Sequence, residues 1–156
     1  MCHRSYTNFS FTWSNNPPSS SGRVAIPSAA QGLTAFSIEH SVTVTNAGSR
    51  TSDVVALAFI VRVLGSPVDT PLRKLFGFER FSAVAPGESR TAYFAPDAHA
   101  LGVVGQSGDR VLQPGEYAIE CGSVEQPVRR VVELVGEPLL VERGSEWVKA
   151  ATATTK

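Results

Sequence analysis

Neither sign of charge predominates in this sequence. Fourteen Lys and Arg balance fourteen Asp and Glu, and the pI is about 6.8, so no net field draws the chain onto phosphate or anionic lipid. Nucleic acid is therefore not an expected partner. Long hydrophobic runs are also missing: none approaches the roughly 18 residues of a membrane span, so no membrane is expected. The opening residues, MCHRSYTNFS, have no apolar signal-peptide core, and the chain as it stands reads as soluble. Cysteine is scarce. Cys2 and Cys121 would close one disulfide in an oxidising compartment, but their spacing fits no metal or redox motif. In YAIECGS, Cys121 keeps step with Tyr117 and Ile119, which favours a small apolar core residue over a bridge.

The side-chain patterns of catalysis and cofactor binding are equally sparse. His3, His40 and His99 are isolated, with no second ligand two or four residues away, so no metal is expected. His40 interrupts the apolar face of its strand and reads as a core or edge histidine with a backbone partner. Gly102, Gly105 and Gly108 neither follow a strand in a βα unit nor precede a Lys-Ser/Thr pair, so they do not form a phosphate cradle. No Ser-His-Asp spacing is readable. The acidic residues fall mostly in turns or on polar strand faces, as Glu88 after Pro86-Gly87 and Glu116 after Pro114-Gly115 do. No catalytic residue and no cofactor are expected.

What is present is strand and turn chemistry. With 156 residues, 42% of them apolar, one domain with one core is expected, burying about two-thirds of its unfolded surface. FSIEHSVTVTN, Phe36 to Asn46, sets Phe36, Ile38, Val42 and Val44 on one face and Ser37, Glu39, Ser41, Thr43 and Thr45 on the other, the period of a half-buried strand. After the turn Asn46-Ala47-Gly48-Ser49, the run DVVALAFIVRVL, Asp53 to Leu64, suits a central strand buried on both faces. These two segments are expected to pair as a hairpin. Pro86-Gly87 precedes a strand over Arg90 to Phe94, Pro114-Gly115 precedes one over Glu116 to Cys121, and Val128 to Val135 follows Pro127. One helical turn is plausible, Asp97 to Val104. Short strands between Gly and Pro turns, without a sustained helical period or an internal repeat, indicate an all-β, immunoglobulin-like antiparallel sandwich over residues 1–141. The Pro/Ser/Gly-rich residues 15–32 read as a long N-terminal loop inside it, and 142–156 as a flexible tail. Tyr117, entering a strand just after Pro114-Gly115, sits where a tyrosine corner would bond upstream backbone.

The densest stretch is PLRKLFGFERFSAVAPGESRTAYF, Pro71 to Phe94. Strict alternation places Phe76, Phe78 and Arg80 on one strand face. With Arg73 and Lys74, that surface reads either as a sugar-contact platform, rings stacking on a pyranose and cations bonding hydroxyls, or as a packing and docking wall. Burial of rings this large favours the wall.

VTVTNAGSRTSDVVALAF (42–59), the stretch 71–94 and GDRVLQPGEYAIECGS (108–123) together resemble the fibronectin type III-like domain that closes family three glycoside hydrolases. SYTNFSF (5–11) is similar to the lead-in from the preceding module, and DAHALGVVGQSGDRVL (97–112) looks most like the β-xylosidase and arabinofuranosidase branch. The resemblance implies an accessory module that braces catalytic modules and lends a loop to the substrate entrance. It also implies that the nucleophile and acid, about 5 Å apart in retaining glycosidases, lie upstream in modules not present here, and that the parent protein is exported. Met1-Cys2-His3-Arg4 stands where relatives carry a glycine-and-histidine run, so the chain reads as a fragment. The partners implied are those catalytic modules and an oligosaccharide. A module of this kind should leave one sandwich face with a contiguous apolar patch beyond the few hundred Å2 normal for a monomer.

Overall fold

The computed structural model describes residues 7–14, 22–29, 36–67, 69–124 and 126–144. Strand alternation sorts its residues into two layers. In the first, β3 (His40–Asn46) lies between β1 (Phe9–Trp13) and β6 (Ser89–Phe94), antiparallel to both. In the second, the order is β2 (Arg23–Ala25), β10 (Pro127–Val135), β9 (Gly115–Gly122), β4 (Ser52–Arg62), β5 (Arg73–Val84). Its pairs are antiparallel except β2 with β10. The core is made where the layers face each other: Phe9, Phe11, Val42, Val44, Ala92 and Phe94 against Val54, Ala56, Ala58, Ile60, Tyr117, Ile119, Cys121, Val132 and Leu134. The all-β, fibronectin type III-like sandwich expected from the sequence is the fold observed.

The expected hairpin does not form. β3 and β4 are consecutive but lie in opposite layers, so the chain between them arches across one end of the sandwich. Asn46, fully buried, holds that arch. Its Nδ2 donates to the carbonyls of Arg50 (2.8 Å) and Val84 (2.9 Å), and its Oδ1 accepts from the Thr7 hydroxyl (2.8 Å) and the Gly48 amide (3.0 Å). A side chain satisfied in this way fixes a wide connection where a tight two-residue reversal would have paired the strands. The Pro/Ser/Gly-rich segment also departs from a continuous loop, because β2 interrupts it and extends the second sheet beside β10. Residues 15–21 and 30–35, and the tail from 145 onward, lie outside the described residues, as do Cys2 and His3.

Of the helical turn, Ala98–Leu101 forms α1, capped by the Asp97 carboxylate, which accepts from the Ala100 amide at 2.7 Å. The chain then enters a small sheet of β7 (Val103–Val104), β8 (Arg110–Leu112) and β11 (Leu139–Glu142), in the order β11-β8-β7. Tyr117 makes its corner: the buried ring places its hydroxyl 2.9 Å from the Gln113 carbonyl, to which it donates. Burial pushes the phenol up to about 12, so it remains a donor. Cys121 is a free, buried thiol, raised to about 12 by the same desolvation. No helix of the described residues is long and apolar enough to cross a membrane.

The two Pro-Gly turns differ in kind. In Ala85-Pro86-Gly87-Glu88, the Glu88 amide donates to the Ala85 carbonyl (3.0 Å) and Gly87 takes φ +76°, which is a type II turn with proline and glycine in their preferred places. Gly115 instead sits at φ +141°, where a Cβ would come within 2.9 Å of the Gly65 carbonyl oxygen. That glycine lets two backbones approach, and the Glu116 amide donates to the same carbonyl at 2.9 Å.

Candidate functional site

A bulge divides the aromatic stretch. Along β4 and β5, Leu57 pairs with Phe78 and Ala58 with Gly77, but Phe59 pairs with Leu75, so Phe76 is an extra residue on β5. Phe76 and Gly77 therefore both turn inward. The Phe76 ring packs edge-on against Phe94, with centroids 6.3 Å apart, and Gly77 leaves room for Phe94, whose Cδ1 would stand 3.1 Å from an added Cβ. Phe78 turns outward and is 69% exposed. The sequence placed Phe76, Phe78 and Arg80 on one face; the structure puts Phe76 on the core side and only the other two outside.

The basic residues of the stretch are also separated. The Lys74 ammonium donates to the carbonyls of His99 (3.1 Å) and Ala100 (2.8 Å), tying β5 to the end of α1. Burial, then the nearby Arg110, hold its pKa below the usual lysine value. Arg73 lies over the Phe59 ring at 3.8 Å and 3.5 Å from the Glu120 carboxylate. Arg80 pairs with Asp53 at 2.6 Å, while the other Asp53 oxygen accepts from the Ala83 amide at 2.9 Å. Those bonds hold the Asp53 carboxyl below its usual range, and they brace a second irregularity where Ala83 adopts φ +53°. Glu88 behaves alike: it accepts from the Ala85 amide (2.8 Å), which lowers its carboxyl, and pairs with Arg90. These carboxylates hold turns and bulges together.

What the outward side of β4 and β5 does present is a row of apolar side chains. Val54, Ala56, Ala58 and Ile60 face the core, so Val55, Leu57, Phe59 and Val61 point away from it. Leu75 and Phe78 flank them on β5, and Val131 continues the outer surface on β10; Val55, Leu75, Phe78 and Val131 are all exposed. Its polar members pair with one another: Glu120 reaches Arg73 and Arg129, and Arg23 meets Glu133 at 2.9 Å. The run DVVALAFIVRVL carries apolar residues at both parities, the pattern of a strand covered on both sides, yet among the described residues only one side is fully buried. That double parity was the signal in the sequence for this face. Attention to the aromatic cluster missed Val55, Leu57, Val61 and Val131.

A second feature lies on the other sheet. Glu39, His40, Ser41, Tyr93, Phe94 and Ala95 line a depression of about 390 Å3, with His40 opposite Phe94 and Ser41 opposite Tyr93 across the β3–β6 pair. The His40 ring is 1% exposed, lies 5.5 Å from Trp13, and has no hydrogen-bond partner at either nitrogen. Desolvation, reinforced by Arg130, lowers its pKa to about 4; Arg130 itself lies over the Trp13 ring at 4.5 Å. The backbone partner expected for His40 is not made. Tyr93 projects outward, 74% exposed.

Among curated proteins, the chain is 38% identical over 86 residues to a probable exo-1,4-β-xylosidase of Neosartorya fischeri, an alignment covering 55% of this chain and 11% of that protein. It is 30% identical over 121 residues to a probable exo-1,4-β-xylosidase of Aspergillus flavus, covering 74% and 15%. The chain thus spans 11% to 15% of the length of these relatives. Among solved structures it superimposes on the β-glucosidase of Listeria innocua with a TM-score of 0.69 and 21% identity, over 86% of this chain and 17% of that one. For the β-glucosidase of Kluyveromyces marxianus in complex with glucose the values are 0.66, 23%, 88% and 15%. At this identity the structural matches speak for the fold. The family model for the fibronectin type III-like domain matches residues 55–132, half of the chain and the whole span from β4 into β10; the chain belongs to the fibronectin type III-like domain family.

Proposed function

We propose that this domain is a non-catalytic C-terminal accessory module of a family three glycoside hydrolase of β-xylosidase type, bracing the catalytic modules through the outer face of β4 and β5. The observation that carries the reading is the outward-facing apolar row Val55, Leu57, Phe59, Val61, Leu75 and Phe78, of which Val55, Leu75 and Phe78 are exposed. Strand residues of this character gain about 25 cal/mol per Å2 when another surface covers them, and contiguous exposed patches of this kind mark protein contacts. The resemblance to a small part of much longer β-xylosidases supplies the partner: their catalytic modules. The excursion 97–112, anchored by Lys74 on α1 and by the β7–β8 pair, is the segment that such a module would lend to a substrate entrance.

The sugar-platform reading of Arg73, Lys74, Phe76, Phe78 and Arg80 receives less support. Phe76 is interior, Lys74 is bonded to two carbonyls, and Arg73 and Arg80 are engaged with Glu120 and Asp53.

The docking reading is tested by mixing the chain with the catalytic part of a family three β-xylosidase truncated ahead of its own fibronectin type III-like domain, and following association by sedimentation velocity. A complex weakened at least tenfold by Phe78→Asp is the expected result, and a hot-spot aromatic readily accounts for that loss. Because Phe78 is largely exposed, the substitution should change the stability of the isolated chain by less than about 1 kcal/mol. Absence of a complex, or one indifferent to Phe78→Asp, would refute the assignment of this face.

A further inference from the structure

We propose that Asn8 is the acceptor of an N-linked glycan, a modification site separate from the docking face and independent of the accessory-module reading. The stretch TNFSF holds Asn8-Phe9-Ser10, an Asn-x-Ser triplet whose middle residue is not proline, which is the pattern read when oligosaccharide is coupled to asparagine. Of the four asparagines, Asn8, Asn15, Asn16 and Asn46, Asn8 alone has Ser or Thr two positions on. Such a triplet serves only where the fold leaves both of its ends reachable.

Here the fold does so. Phe9 is buried with Phe11 in the core, so alternation turns Asn8 and Ser10 outward, and both are exposed. The Asn8 carbonyl accepts from the Ala47 amide at 2.8 Å, so the backbone fixes its place in the sheet. β1 is an edge strand, paired only with β3. Phe9 pairs with Asn46, so during synthesis the triplet stays unpaired until β3 has emerged, and a transferring enzyme meets it as extended chain. The surroundings suit a neutral, hydroxyl-rich substituent. Outward positions across the three strands include Ser10, Thr12, Thr43, Thr45, Ser89 and Thr91, with the Thr45 and Ser89 hydroxyls bonded to each other at 2.8 Å. The stem sugars of a glycan lie along such a face without stripping water from a charge. The docking face belongs to the other layer, so glycan and catalytic module do not compete.

The co-reactant is a lipid-pyrophosphate-linked oligosaccharide. The Asn8 amide nitrogen, Nδ2, attacks the anomeric carbon of its first sugar; a carbon–nitrogen bond forms and the bond from that carbon to the pyrophosphate oxygen breaks. The lipid pyrophosphate leaves with the electron pair, and one amide proton passes to a base of the transferring enzyme.

The test is cell-free translation of the full chain, behind a cleavable signal sequence, with microsomes that supply the lipid-linked donor. The expected result is a protease-protected product heavier by one glycan, returned to the bare mass by peptide N-glycosidase, which leaves aspartate at the site. Asn8→Gln and Ser10→Ala should abolish the shift, and Ser10→Thr should keep it. Transfer needs no folded product, so each variant gives a reading even where it folds poorly. A protected wild-type chain without a glycan, or a glycan that survives Asn8→Gln, would overturn the proposal. The glycosylated chain should unfold in urea at the same midpoint as its deglycosylated form or a higher one; a midpoint lowered by the glycan would contradict the outward placement of Asn8. Failure of docking to a catalytic module would leave all of these outcomes unchanged.

Discussion

Acidification should destabilise this domain through a single histidine. His40 titrates at about 6.5 when the chain is unfolded and near 4 when it is folded, because its ring is desolvated and Arg130 opposes a second positive charge. The unfolded state therefore binds the extra proton first, and stability falls as pH drops from about 6.5 to about 4, levelling off below. The gap corresponds to about 3 kcal/mol at full development, of which about 2 kcal/mol is lost between pH 7 and pH 5. The perturbation is His40→Leu, which removes the titrating group while keeping a core side chain of similar size. Urea denaturation, followed by tryptophan fluorescence at pH 7 and pH 5, gives the unfolding free energy of each protein. The carboxylates of Asp53 and Glu88, whose pKa values are lowered, lose their contributions at lower pH in both proteins and cancel in the comparison. Wild type should therefore fall toward or below the variant by about 2 kcal/mol on moving to pH 5. Parallel pH dependences of the two proteins would refute the argument and imply that His40 is protonated without strain in the folded state.

Three further outcomes follow from the same interior. Tyr117→Phe removes the 2.9 Å bond to the Gln113 carbonyl and should cost about 1–2 kcal/mol in urea; a variant as stable as wild type would mean that the corner contributes nothing. Asn46→Ala strands the carbonyls of Arg50 and Val84 and two donors, and a loss of about 3 kcal/mol or more is expected, read as a large drop in melting temperature. In a Cys2→Ser background, the buried Cys121 thiol, raised to about 12, should react with a disulfide reagent only as fast as the domain unfolds; rapid labelling of native protein would contradict its burial.

The places where the sequence misled are informative. Alternation in HSVTVTN assigned the inward residues of β3 correctly, because a strand exposes one face per parity whatever its neighbours. The same rule failed in RKLFGFERF, where the extra residue at Phe76 resets the phase. No local pattern announces a bulge beside which the Phe94 ring, contributed by another strand, fills the space over Gly77. The hairpin expectation failed for a related reason. Two adjacent strands with a turn between them satisfy hairpin rules, but the Asn46 side chain, bonded to Val84 and Thr7, holds them in opposite layers. The apolar residues of both parities in DVVALAFIVRVL were legible, although the sequence could not say which parity would be left uncovered. The depression at His40 and Tyr93 carried no motif at all, since its two halves meet only when β3 pairs with β6.

The sequence by itself determined that this chain is all-β, where five of its strands lie, and which family it resembles, because period-two patterning and turn residues act over a few positions of chain. Only the tertiary structure decided which strands became partners, that Phe76 and Phe78 part company, and that an apolar sheet face and a histidine-lined hollow lie on different layers. Those outcomes depend on contacts between residues far apart in sequence, where side-chain volume and hydrogen-bond satisfaction, rather than local periodicity, select among pairings that the pattern alone leaves equivalent.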